Sequence, residues 1–404
     1  MFDWSHEQGW RRPLAISAGF VLIAFFVIVG AIGLALGVTL AGLLALPPLH
    51  QLKKLLPLEL PLAVFLIFIA WAWLSMRWST YPQSEQAWKM ALGVVLYSLF
   101  AYAVWSLQGK ARLLALYAAA ISLVLILLAY FGITFLGVLS LLYGDEPVFA
   151  VRTRDASRGI SALVCAVPVG WAFCHMLFPD WRGKLAAVLV GLLAFAISWQ
   201  YGLSAGMLGI MVAGVLFAAG WFYPRTTILL VGLAAVLSFM LSPILISTLL
   251  SMIDKTFLPD SWAMRVDMWH FAIARIEEKS LFGWGLDASR SFTDTYSFKS
   301  LDLPNISLHP HNFGLQLWLE TGLIGVSLFS TATLMLAIRV SSSWNLGRLQ
   351  GAAIAGSSGA FLVFMFLSFG AWQEWFWACA AWVAAMCFLV GPAPDKLTKE
   401  LPDR

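Results

Sequence analysis

Along this chain the apolar residues fall into runs of about 20, the length of helix that crosses a bilayer, separated by short polar turns. Reading from break to break, the pattern predicts helices near 14–32, 34–50, 58–76, 88–107, 113–142, 159–178, 185–200, 203–222 and 227–250, followed by 313–338, 350–371 and 375–392. This is the pattern of an all-α polytopic membrane protein with about twelve transmembrane helices. One long polar stretch divides it. Nine spans are expected over 1–250, a loop carrying a surface helix over 251–312, three further spans over 313–392 and a polar tail over 393–404. The run 14–32 exceeds a signal-peptide core and lacks a convincing small-residue cleavage site, so it reads as a retained helix.

Charge gives the orientation. With the N-terminus inside, the inner connections hold Arg11, Arg12, Lys53, Lys54, Lys110, Arg112, Arg182, Lys184, Arg225, Arg339 and Arg348, and the tail holds Lys396, Lys399 and Arg404. Cytoplasmic loops carry such an excess of Lys and Arg. Both termini are therefore expected in the cytoplasm and 251–312 on the outer face, periplasmic in a bacterium. Most of the net charge of +4 is accounted for by this asymmetry, so membrane lipids are expected partners and nucleic acid is not. Cys165, Cys174, Cys379 and Cys387 all fall inside apolar runs and are expected to pack as small apolar side chains.

The cations that break the orientation rule are clustered. Arg152, Arg154 and Arg158 are expected in one outer loop, and Lys255, Arg265, Arg275, Lys279, Arg290 and Lys299 in the long one. A guanidinium offers phosphate a planar fork of donors and stays charged at any relevant pH, so an anionic ligand is one reading. Headgroup anchoring, or ion pairing with Asp155, Asp267, Glu277 and Glu278, is the other. Arg158, at the mouth of an apolar helix, and Arg265, near the start of a helix expected over 262–279, are the better candidates for a ligand. That helix has Asp260 or Ser261 as a possible N-cap and places Arg265, Trp269, Ala272 and Ile276 on one face. The following Leu281-Phe-Gly-Trp-Gly-Leu286 permits a tight turn against a ligand or another backbone, and lacks the pattern of a phosphate loop.

The polar stretch ends in Ser307-Leu-His-Pro-His-Asn312. With Pro310 between them, His309 and His311 are expected in an extended or turn conformation just before a helix. No HxxxH, CxxC or DxD pattern supplies further ligands, so a metal site is not expected. An imidazole with an ordinary pKa of about 6.5 is suited to act as a general base. On spacing alone, that role for His311 and a capping role stand level. Downstream, Asn312, Gln316 and Glu320 recur every four residues, forming a polar stripe on an otherwise apolar helix. An ionisable group such as Glu320 within a span is costly without a partner, and is a functional candidate by default. The other spans carry almost no internal charge, and Glu374 lies at the end of one in an aromatic segment. That argues against an ion-coupled transporter, which needs such groups along its path.

The segment from His311 to Gly325, with His311-Asn312, Leu315-Gln316, Glu320, Gly322 and Gly325, resembles the signature of the O-antigen ligase and polymerase superfamily. Arg265-x-x-x-Trp269 and Gly283-Trp-Gly285 are similar to its upstream elements. Many relatives carry a Ser-Arg pair where this chain reads Leu203-Ser-Ala-Gly206. Any role of that arginine would then be absent or fall to Arg152, Arg154 or Arg158. The resemblance implies a GT-C-type glycosyltransferase that works without metal or other cofactor. It would transfer O-antigen, with inversion, from undecaprenyl pyrophosphate to lipid A-core at the periplasmic face of the inner membrane. It further implies His311 as base, Arg265, Arg158, Arg154 and Arg152 as pyrophosphate ligands, and His309, Asn312, Gln316 and Glu320 as supporting residues. An O-antigen polymerase, a protein O-oligosaccharyltransferase and a non-enzymatic flippase of lipid-linked sugars are the alternatives.

Overall fold

A computed structural model describes residues 10–46, 59–138, 149–343 and 345–392, with the side chains of Ala87 and of residues 149–155 outside that description. Lys53, Lys54, the far ends of the runs 34–50 and 113–142, and the tail with Lys396, Lys399 and Arg404 lie outside the described residues. The chain is a nearly all-helical polytopic membrane protein. Its helices are α1 (Arg11–Ile28), α2 (Leu34–Leu44), α3 (Leu60–Leu74), α4 (Gln86–Trp105), α5 (Gly109–Phe135), α6 (Phe149–Leu177) and α7 (Trp181–Gln200). They continue as α8 (Ser204–Phe222), α9 (Pro224–Met240), α10 (Ser242–Met252), α11 (Asp260–Glu278), α12 (Phe313–Ser341), α13 (Arg348–Leu367) and α14 (Glu374–Val390).

Each of the twelve apolar runs is helical, but they are not twelve equal spans. Among the described residues nine helices are long and apolar enough to cross a membrane, and a tenth span results if the bent pair α9–α10 counts as one. The run 227–250 is not straight: α9 and α10 meet at 78°. Pro243, in the first turn of α10, has no N–H to continue the α9 ladder. The Phe239 carbonyl there instead accepts the Trp318 indole N–H at 3.0 Å. α2 and α14 are shorter apolar helices. α6 begins at Phe149, so Arg152, Arg154 and Arg158 stand on its first turns rather than in a loop.

α12 is also interrupted. At Gly322 the backbone takes φ 62°, ψ −169°, breaking one long span into two helical pieces. Helices leave unpaired backbone groups at such a break, and in a bilayer these must be satisfied by protein. The segment 280–285 satisfies them. Leu323 N–H donates to Ser280 O at 2.8 Å, while Trp284 and Gly285 N–H donate to Leu319 O and Glu320 O at 2.8 and 2.9 Å. The approach requires glycine on both sides. A Cβ on Gly283 would stand 2.6 Å from the Glu320 carbonyl carbon, and one on Gly322 would stand 2.6 Å from Gly283 N. Of the two readings of the Gly-Trp-Gly turn, close approach of another backbone is therefore the structural one.

The polar stretch 251–312 is built on α11, whose buried Val266, Trp269, Ala272 and Ile276 pack on Leu315 and Leu319 of α12. Pro259 is its N-cap, without a side-chain bond. Asp260, expected as a cap, instead holds Lys299 at 2.7 Å. The sequence pattern did not show the small antiparallel hairpin β1 (Thr295–Phe298) and β2 (Leu301–Pro304). Its two-residue turn, Lys299-Ser300, has positive φ at both positions, as a tight hairpin turn requires.

At one end of the bundle, cations close helix C-termini. Arg12 donates to Ala45 O at 3.3 Å and to Ser106 Oγ at 2.6 Å. Arg112 reaches the carbonyls of Phe388 and Gly391. Cations and exposed helix carbonyls attract each other, which fastens this end. The four cysteines are free, three of them buried, as expected of packing residues.

Candidate active site

The opposite end of the bundle holds a cavity of about 280 Å³. Its walls come from connections that the alternating topology puts on a single side. They are Ile32 between α1 and α2, Gln86 at the start of α4, Arg158 near the start of α6, Asp287, Arg290 and His309 from the polar stretch, Gly370, Trp372 and Gln373 between α13 and α14, and Glu374 and Trp375 at the start of α14. Gln316 of α12 reaches the same space.

The two histidines lie side by side, with ring centroids 4.3 Å apart. Their hydrogen bonds assign their protons. The His311 backbone N–H donates to His309 Nδ1 at 3.1 Å. Neutral His309 therefore carries its proton on Nε2, which lies 2.9 Å from Gln373 Nε2; this pairing requires the Gln373 amide to be turned so that its oxygen accepts. His311 Nδ1 lies 2.7 Å from the Ser368 carbonyl, which can only accept. The His311 proton is thus on Nδ1, and Nε2 keeps its lone pair. Burial pushes His311 below the usual histidine pKa, opposed by the bond to Ser368 and reinforced by Arg265. Burial pushes His309 well below it too, with His311, Arg290 and Arg265 adding to the effect. Both shifts favour the neutral ring. His311 also sits at φ 52°, a conformation uncommon outside glycine and tolerated where surroundings enforce it.

The enforcement comes from three directions. The Trp269 indole on α11 donates to Pro310 O at 2.8 Å, pinning the residue between the histidines. Asn312 caps α12, its Oδ1 accepting from Leu315 N–H at 2.9 Å, and its Nδ2 donates to Phe366 O at 3.2 Å. Gln316 Oε1 accepts from Ala371 N–H at 2.7 Å, and its Nε2 donates to Glu320 Oε1 at 3.1 Å. Glu320, fully buried, further accepts from Asp287 N–H at 2.6 Å, the Ser289 hydroxyl and the Trp372 indole. The stripe Asn312–Gln316–Glu320 therefore clamps the α13–α14 connection and the 287–289 turn to α12.

The sequence-derived site residues separate as follows. Arg158, His309 and Gln316 line the cavity, and His311 adjoins it through His309. Asn312 and Glu320 are buried scaffold beneath it. Arg265 is close enough to depress both histidines, lies over the Trp262 ring at 5.1 Å and donates to Ser261 O at 3.2 Å. It is not part of the cavity wall. The side chains of Arg152 and Arg154 lie outside the described residues. Residues that sequence reasoning did not single out are Asp287, Ser289, Ser368, Trp372 and Gln373, while Arg290 was named only as one of the clustered outer cations. The polar run after Gly285 and the lone Gln373 within an aromatic segment were the available signals.

Residues 188–330 match the family model described as O-antigen ligase. A protein of Rickettsia typhi named "Putative polysaccharide ligase" is 22% identical over 341 residues, covering 80% of this chain and 79% of that protein. Proteins of the same description from Rickettsia bellii and Rickettsia felis are 26% and 24% identical over 228 and 253 residues. Those alignments cover 54% and 60% of this chain and 55% and 61% of the relatives. No solved structure matches.

Proposed function

Because the chain belongs to the O-antigen ligase superfamily, we propose that it transfers a polysaccharide from a lipid diphosphate to a sugar hydroxyl of a membrane glycolipid. The donor would be undecaprenyl-pyrophosphate-linked O-antigen and the acceptor lipid A-core. The cavity end would face the periplasm of a bacterial inner membrane. The fastened end with Arg12 and Arg112 would then face the cytoplasm, in keeping with the positive-inside rule.

The observation that carries this reading is the proton placement on His311. With Nδ1–H committed to Ser368 O, Nε2 is a neutral acceptor held in one orientation beside a cavity that contains arginine. In the reaction proposed, Nε2 takes the proton of the acceptor hydroxyl as its oxygen attacks the anomeric carbon. The bond from that carbon to the diphosphate oxygen breaks, inverting the centre. The lipid diphosphate leaves with the electron pair, and the fixed charges of Arg158 and Arg265 stabilise it. Arg152 and Arg154 would meet phosphates of donor or acceptor. With cations supplied by side chains, the reaction needs no metal.

Reconstitution of purified protein with lipid-diphosphate-linked oligosaccharide and lipid A-core, with products resolved by gel and mass spectrometry, tests the proposal. Sugar on lipid A-core is expected, with His311→Gln slower by about 10²–10⁴-fold. Longer chains still on the lipid diphosphate would make the protein a polymerase. Absence of any covalent product, or full activity in His311→Gln, would overturn the reading.

A further inference from the structure

Resting on the donor chemistry just described, we propose that Arg290, aimed by Asp287, is a specificity residue that binds the donor's diphosphate and distinguishes it from a monophosphate. Every polar group of Asp287 is directed. Its backbone takes φ 61°, and its N–H donates to Glu320 Oε2 at 2.6 Å. Its Oδ2 accepts from the Ser84 hydroxyl at 3.0 Å, and its Oδ1 accepts from Arg290 Nε at 2.8 Å. Ser84 meets one carboxylate oxygen and Arg290 the other through Nε alone, so the pair is not the two-pronged one usual for Asp and Arg.

The consequence is visible at the guanidinium. Only Nε is engaged, and among the described residues neither terminal nitrogen of Arg290 makes a hydrogen bond. Asp287 is buried, whereas about a third of the Arg290 side chain (32%) remains exposed, and Arg290 lines the cavity together with Arg158. A pair serving only to brace the loop would not need this geometry; an ammonium would suffice. An aimed fork with its outer edge free suits two phosphate oxygens. Arg158 comes from α6 and Arg290 from the turn after α11, so an anion between them meets one cation from each. That provision matches two linked phosphates better than one. His309 lies in the same wall, and burial there favours its neutral form.

The test uses the full chain in nanodiscs, with undecaprenyl diphosphate and undecaprenyl monophosphate as probes in equilibrium binding. The wild type should prefer the diphosphate. Arg290→Ala should weaken diphosphate binding by about 10–100-fold, as loss of charge-assisted hydrogen bonds would, and monophosphate binding by much less. Arg290→Lys, which keeps charge and loses the fork, should also lose most of the preference while matching wild type in elution and melting behaviour. Equal weakening of both ligands by Arg290→Ala, or retained preference in Arg290→Lys, would overturn the assignment and leave the donor reading standing. A wild type without preference would overturn the donor reading, and this assignment with it.

Discussion

Replacing Gly322 by alanine should damage both stability and activity, although the residue touches no substrate in the reaction proposed. Its φ 62°, ψ −169° lies in a region that is essentially restricted to glycine, and holding another residue there costs about 1–3 kcal/mol. Space is lacking as well: an added Cβ would lie 2.5 Å from Leu281 C and 2.6 Å from Gly283 N, so the 280–285 segment must retreat. Retreat stretches the bonds from Leu323 to Ser280, Trp284 to Leu319 and Gly285 to Glu320. Each buried group left unsatisfied adds about 1–3 kcal/mol. A total of about 3 kcal/mol or more is therefore expected, with the 287–289 turn that binds Glu320 moving along. The assay is thermal unfolding in detergent beside transfer activity, with Gly347→Ala as the control, since a Cβ there meets nothing within 4 Å. Gly322→Ala should melt well below the wild type and lose activity, whereas the control should do neither. A Gly322→Ala protein as stable and active as the control would refute the claim that the break in α12 is held by glycine-to-glycine backbone contact.

Two further outcomes follow from the histidine pair. Because burial lowers the His311 pKa, the acid limb of the kcat/KM–pH profile should lie below the ordinary value of about 6.5, with activity lost as pH falls through the lowered pKa; a limb at or above that value would count against His311 as base. The same shift has a stability side. A group with a depressed folded pKa contributes stability in full above its unfolded value, and the contribution is lost as pH falls through the folded one, so melting temperature should decline below about pH 6.5 and less so in His309→Gln. Trp269→Phe, which keeps the ring and removes the N–H to Pro310 O, should cost about 1–3 kcal/mol and reduce kcat more than it raises KM for donor; an unchanged kcat would show that the Trp269 bond does not set the histidine geometry.

Among the described residues the apolar runs were sufficient to find the membrane helices, because burial in lipid demands long uninterrupted stretches, and length is what a sequence displays most directly. Where the runs break was not legible to the same degree. Pro243 lay within an apolar stretch of ordinary length, and its effect depends on Trp318, 75 positions away, accepting the role of donor to the freed Phe239 carbonyl. Gly322 looks like any helical glycine in sequence, and its conformation follows only from the partner backbone of 280–285. The hairpin was missed because strands of four residues with mixed exposure carry little alternation to read. His309, His311 and the stripe at four-residue spacing could be found, since polar groups at the edge of an apolar run stand out. Asp287 and Arg290 could not be separated from neighbouring loop charges without knowing which of them Glu320 holds.

The stripe itself holds the surrounding connections in place more than it lines the cavity. Only Gln316 reaches the cavity; Asn312 and Glu320 are fully buried, and their polar atoms face backbone groups and side chains of the surrounding connections. A single buried carboxylate gathers four donors from three separate segments: Gln316 on α12, Asp287 and Ser289 after the glycine turn, and Trp372 before α14. Satisfied polar networks of this kind specify one arrangement, because any displacement leaves a buried group unpaired. The segments fixed by Glu320 and Gln316 are the ones that carry Arg290, Gln373 and the Ser368 carbonyl. Through them one helix face sets the direction of the arginine fork and the proton position on both histidines. The cost of an ionisable group inside a span is thereby offset by preorganisation, which is the property that a reaction stabilised by fixed charges requires.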